Sequence, residues 1–340
     1  MTMTHDSATS EHDALTRPRR QLVSTLSGLG AKYGLIGLLV ALVVFFSVLP
    51  STGETFRSLG NAQAVMGNVS VVGIVAIAAV IPLIAGNIDF TVGATSGLCA
   101  AVVATFMSQH DWPMATAIAA AMTVALIVAI ANATVVAVLH VNPFIVTLGA
   151  SIFLSGLTQW YTGGRDLVGG ISPVMTDFGS STLWVIPAPF ILLVAVVVAA
   201  WFVTTSTPAG RRLRAIGSNP DAAALVGVRV DRLVFLSLVA SSLLAGVAGV
   251  LLVARNGGVP VGAGQDLLFP ALAAAFLGAT VLDPGRYNVL GTLIGVIFVA
   301  AAVSGLTLAG AAAWVPSFFN GAALVLAVLW STLLARRRQT

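Results

Sequence analysis

Charge is what this sequence has least of. Of its 340 residues only 8% are charged while 58% are hydrophobic, and the mean hydropathy is +1.00. A soluble domain covers its surface with about 25% charged residues, so the chain reads as a polytopic membrane protein. Cysteine is down to Cys99, set in an apolar run, which excludes an internal disulfide and any CxxC or four-cysteine metal site. The one lysine, Lys32, follows Ala31, and no Gly-Lys-Ser/Thr occurs, so the phosphate-cradling loop of an ATPase is missing. Four histidines, at 5, 12, 110 and 140, supply no HExxH and no paired ligand spacing, and there is no GxSxG elbow. With converging nucleophile, acid and base groups so scarce, a membrane-embedded enzyme is disfavoured. The arginine excess gives little support to nucleic-acid binding; in a membrane protein the place of each charge matters more than the sum.

Apolar runs fall at 33–49, 64–85, 90–107, 114–139, 144–161, 183–205, 231–254, 267–282, 287–307 and 314–334, which predicts an all-α protein of ten transmembrane helices. The segments 1–32, 162–182 and 206–232 are too short to bury cores of their own. Residues 1–32 read as a polar, disordered cytoplasmic tail, 33–334 as the membrane domain and 335–340 as a basic cytoplasmic tail. With ten spans, one face collects Arg17, Arg19, Arg20, Lys32, Arg211, Arg212, Arg214, Arg229, Arg232, Arg286, Arg336, Arg337 and Arg338. The other face collects Arg57, Arg165 and Arg255. That asymmetry puts both termini and the 206–232 loop in the cytoplasm.

Ten spans divide into two halves of five, and an odd number per half makes the second run opposite to the first. The second span leads into Gly86-Asn87-Ile88-Asp89, and its counterpart, the seventh, into Asn256-Gly257-Gly258 and on to Asp266. The breaks at 86–89 and 283–286 are either loops or kinks inside the membrane. Asp89 is a carboxylate at membrane depth, where an unpartnered charge costs roughly 2.5–3.5 kcal/mol. It is read first as a cap on the free amides of the next helix, and alternatively as a proton- or substrate-binding acid. Gly93 and Gly97, like Gly291 and Gly295, have the spacing that lets helix backbones approach closely. Asn142-Pro143-Phe144 opens the fifth span, and Thr147, Ser151, Thr158 and Gln159 follow as a polar set. They either line an aqueous path or bond their own backbone. Asn87, Asp89, Phe144, Thr147 and Ser151 are the candidate translocation path. The 162–182 segment is either a docking surface outside the membrane or a solvated loop.

The stretch Ser206–Arg232 has a clear local logic. Asn219 caps a helix, Pro220 is its first residue, Asp221 complements the dipole, and Gly227 stops the run Ala222-Ala223-Ala224-Leu225-Val226. A short apolar-faced helix outside the membrane needs either a partner groove or the lipid surface to cover that face.

Four blocks, GNIDFTVGA, VNPFIVTLGA, TPAGRRLRAIGSNPDAAALVGVRVDR and LAAAFLGATVLDPGRYNVLGTLIG, lie in order between residues 73 and 296. They resemble the permease subunits of ribose- and other monosaccharide-type ABC importers. The resemblance implies alternating access for a ribose-, xylose-, arabinose- or galactose-like sugar across the bacterial inner membrane. It implies an ABC ATP-binding subunit carrying ATP and Mg on the partner, with no cofactor in this chain. It further implies an extracytoplasmic sugar-binding protein and a second permease chain, identical or a similar paralogue. By the same resemblance Arg211, Arg214, Asn219, Asp221, Ala222, Ala223 and Gly227 belong to a coupling helix on the ATPase. The chain departs from the family at Ser155, where an arginine is usual, and at Gly278-Ala279 and Asp283-Pro284-Gly285, where paired glycines are usual. A proton-coupled secondary transporter using Asp89 is the alternative, one that leaves the cytoplasmic helix without a purpose.

Overall fold

The computed structural model describes residues 33–337, so the tail assigned to 1–32 lies outside the described residues. In chain order the helices begin with α1 (Tyr33–Val48), α2 (Gly53–Phe56), α3 (Leu59–Ile84), α4 (Thr91–Ser108) and α5 (Met114–Ala133). There follow α6 (Pro143–Thr162), α7 (Pro173–Ser180), α8 (Ala188–Ser206), α9 (Pro208–Ser218) and α10 (Pro220–Leu225). The last four are α11 (Val230–Asn256), α12 (Ala263–Gly278), α13 (Val289–Leu308) and α14 (Val315–Arg337). A π turn over Thr134–Val138 extends α5. Each of the ten apolar runs has its helix, in α1, α3 to α6, α8 and α11 to α14. Seven are long and apolar enough to cross a membrane, and α1, α12 and α14 carry shorter apolar segments.

Helix ends follow cap chemistry rather than hydropathy, which moves several predicted boundaries. α3 starts at Leu59 rather than 64, because Ser58 accepts the Asn61 amide at 3.2 Å. α8 starts at Ala188 rather than 183, because Thr182–Leu183 pairs with Ile186–Pro187 in a short hairpin. α12 occupies 263–278 instead of 267–282. Asn288 donates to Gly278 O at 3.2 Å and Val281 O at 3.0 Å, while its Oδ1 accepts the Gly291 amide at 2.6 Å. One side chain thus closes α12 and opens α13. α14 continues through Arg337, into the stretch assigned to the basic tail.

α4 is the centre of the bundle, buried almost throughout and packed on α3, α5, α6, α11 and α12. Small residues make this possible. A Cβ on Gly264 of α12 would stand 2.5 Å from Gly93 O and 3.1 Å from the Gly97 Cα; one on Gly249 of α11 would strike Ser96 O. The other glycine pair works on the far side, Gly291 facing Gly278 and Gly295 facing Ala274.

The packing itself repeats. α3 meets α13 as α11 meets α5; α4 meets α5 and α6 as α12 meets α13 and α14; α4 meets α11 as α12 meets α3. This is the pattern of two related halves of five spans, the second inverted by the odd count. Their connecting segments also meet. Leu167–Val168 pairs antiparallel with Gly258–Val259, Asp166 Oδ1 accepts the Val261 amide at 2.8 Å, and α7 packs on α11 and α8. The 162–182 segment is therefore anchored by strand pairing and a short helix, while most of its residues stay exposed.

Gly264→Val forces a branched side chain between two backbones that have no side chain to move. It is expected to cost roughly 1–3 kcal/mol, read as a lowered melting temperature of the purified protein in detergent. Gly321→Val, where a Cβ meets nothing within 4 Å, is the control that should leave the transition in place.

Candidate functional site

The interruption between α3 and α4 gathers most of the predicted path residues. Pro82 lies inside the last turn of α3, Gly86 takes φ +83°, and the Asn87 amide turns back to Pro82 O at 3.0 Å. The chain then crosses to α4 with Asp89 only 1% exposed. Its Oδ1 accepts both the Thr91 amide, at 2.9 Å, and the Thr91 hydroxyl, at 2.5 Å; its Oδ2 accepts the Ser241 hydroxyl of α11 at 2.8 Å. Asn132, in the last turn of α5 before the π turn, donates to Thr91 Oγ1 at 3.4 Å. Both carboxylate oxygens are thus occupied by donors, the arrangement of a helix cap that also ties α4 to α11.

The fifth span meets the same break. Asn142 accepts the Phe144 amide at 2.9 Å and Pro143 supplies the first turn of α6. Thr147 donates to Pro143 O at 2.8 Å, and its hydroxyl also lies 3.3 Å from Ile88 O. Phe144 is 49% exposed and stands edge-on to Phe90 with ring centroids 5.4 Å apart. Asp89, Phe144 and Thr147 therefore converge on the break, Asn87 is half-buried beside it, and Ser151 is buried one turn further along the Thr147 face. At the other end of α6, Ser155, Thr158 and Gln159 line a recess of about 60 Å³ with Arg165 and Gln265. Thr91, Asn132 and Ser241, which complete the Asp89 network, are not among the residues singled out from the sequence. Asn132, an amide inside an apolar run, is the signal that would have found them.

The second site projects from the bundle. Thr207 caps α9, which buries Leu213 and Ile216 and turns Arg211 and Arg212 outward. Arg211 donates to Ser206 O at 3.3 Å and Arg214 to Thr204 O at 2.6 Å, so both guanidiniums brace the corner between α8 and α9. Asn219 then accepts the Ala222 amide at 2.9 Å and starts α10. Gly227, at φ +83°, ends it as Val228 N returns to Ala223 O at 3.1 Å. Ala223 is 4% exposed and seats α10 among Leu213, Ile216, Val234 and Leu238, whereas Asp221 and Ala222 face outward. The tip is apolar: Leu225 is 89% and Val226 78% exposed.

Asp89→Ala would leave the Ser241 hydroxyl and the Thr91 amide without their acceptor. The expected loss is roughly 2–4 kcal/mol, visible in thermal unfolding of the purified protein, and Asp89→Asn should recover part of it by keeping one oxygen acceptor.

Residues 61–328 match the family described as branched-chain amino acid transport system / permease component. The autoinducer 2 import system permease protein LsrD of Photorhabdus laumondii is 30% identical over 273 residues, 79% of this chain and 82% of that protein. The probable ABC transporter permease protein YphD of Escherichia coli K12 is 30% identical over 324 residues, 95% and 97% of the two chains. The LsrD of Klebsiella pneumoniae is 28% identical over 308 residues, 89% and 92%. No solved structure matches the chain. The chain belongs to this family of permease components, the multi-pass membrane subunits of ABC importers, and is not itself the ATP-hydrolysing subunit.

Proposed function

We propose that this chain carries a monosaccharide or a comparably small, sugar-derived solute through the bacterial inner membrane by alternating access, driven by ATP and Mg on a partner ATPase. The observation that carries the reading is α10, a six-residue helix seated by Ala223 on α9 and α11 with Leu225 and Val226 bare at its tip. Two large aliphatic side chains in water are unfavourable, by about 25 cal/mol per Å² of apolar surface, and a groove on an ATPase is the cover that fits an importer permease. Asp221 and Ala222 flank that tip, Asn219, Ala223 and Gly227 shape and seat it, and Arg211 and Arg214 brace the corner beneath.

Sugar-like cargo draws support from the names of the LsrD relatives, which import autoinducer 2, and from the amide and hydroxyl groups at the outer end of α6. A second copy of this chain, or a similar permease, completes the pathway, with Asn87, Asp89, Phe144, Thr147 and Ser151 near it. α6 supports that arrangement, because Ile145, Ile152, Phe153 and Trp160 leave one side apolar and exposed. An extracytoplasmic binding protein delivers the solute to the face formed by 162–182 and 257–262. The arginine asymmetry supports a cytoplasmic position for both termini and α10.

Leu225→Asp should abolish copurification of the ATPase and sugar uptake while leaving membrane level and melting temperature unchanged, since Leu225 touches little of its own chain. Retained ATPase binding with normal uptake would remove α10 from the contact. Orientation is checked separately with Val226→Cys, which adds an exposed thiol to a chain whose own Cys99 is buried. An impermeant maleimide should label it in inverted vesicles prepared without the ATPase subunit, where the tip is uncovered, and not in intact cells.

A further inference from the structure

Beneath α9 lies a cavity of about 350 Å³ that the transport reading does not use. It opens where α3 ends, and its polar wall is made by Trp201 and Thr205 of α8, Arg214 and Ser218 of α9, and Arg286 and Tyr287 of the segment before α13. Arg214 spends one amine on Thr204 O at 2.6 Å, which fixes the guanidinium and leaves its other N–H groups for a ligand. Arg286 forms no ion pair with a carboxylate among the described residues. Asp283 also lines the wall, so two arginines face one aspartate and the lining keeps a net positive charge. Tyr287 lines the same wall and is held edge-on to Phe276, ring centroids 5.6 Å apart.

Two arginines from separate elements line one recess together with a tyrosine, a donor set that suits an oxyanion with several acceptor oxygens. Carboxylates carry two such oxygens and a phosphate ester three or more, and the remaining volume, walled by Trp201 and Ile84, leaves room for a sugar or glycerol moiety. We infer that this cavity binds a phosphate ester, its phosphoryl oxygens shared by Arg214 and Arg286 with the Tyr287 hydroxyl as a further donor. Such a ligand joins α9 to the 279–288 segment, so its occupancy stiffens the base on which α10 stands. In the proposed orientation the cavity faces the cytoplasm. Two sources then share the chemistry: a soluble sugar phosphate, or the headgroup of an anionic lipid in the inner leaflet.

The test uses the full complex in nanodiscs, and its readout is binding, which does not require transport to succeed. In neutral phosphatidylcholine discs, titration with ribose 5-phosphate should show one site per permease chain, weakened at least tenfold by Arg286→Gln and restored by Arg286→Lys. In mixed discs containing phosphatidylglycerol, native mass spectrometry should show that lipid retained by the wild type and lost in Arg286→Gln if the headgroup is the occupant. Either result with that variant dependence supports the site and names its source. If neither ligand is held more tightly by the wild type than by Arg286→Gln, the site is overturned. Arg286 is exposed, so the variant should keep the wild-type melting temperature.

Discussion

Where a helix ends inside a packed bundle, its freed backbone groups must find partners within the protein. At the break after α3 that burden falls on Asp89. One oxygen holds the first turn of α4 and the other reaches α11, 152 residues later in the chain. The same carboxylate therefore fixes where the central helix begins and which helix of the opposite half stands beside it. Thr147 comes to the break from α6 and Asn132 from α5, so four helices take their relative positions from one short interruption. The remaining helices pack around that arrangement.

Around α4 the permease is built from small residues, and its outer helices are built from large ones. Gly93, Gly97, Gly249 and Gly264 let backbones touch, so the core has little side-chain volume that can readjust. α5 and α8 show most of their surface, with Ile127, Val198 and Phe202 exposed. In a bilayer that surface needs no cover beyond acyl chains, whereas Leu225 and Val226 sit on a helix that leaves the bundle.

The ten helices were legible in the sequence because each is a continuous apolar run. The α10 cap was legible as well, since Asn219-Pro220-Asp221 and Gly227 act locally and the structure uses each in the expected way. What was not legible depended on distance. Nothing near Asp89 points to Ser241, an ordinary serine in an apolar run, and nothing in 162–182 announces pairing with 258–259. Helix starts at Leu59 and Ala188 were misplaced because hydropathy ignores a serine cap and a two-residue hairpin. Ala223 belongs to the coupling-helix residues by resemblance to a motif, and its inward orientation on a short helix is not written in the sequence around it.

The glycine at 217 has a mechanical consequence. A Cβ there would collide with Ile84 O, so the end of α9 rests on the end of α3 backbone to backbone. Compliance in a protein comes mostly from side chains changing rotamer, and this joint has none to change. Any displacement of the protruding arm at 219–227 is passed undamped to residues 84–86. Five residues beyond Ile84 stands the carboxylate that holds the two halves in register, which makes the shortest route from the outer arm to the middle of the bundle a rigid one.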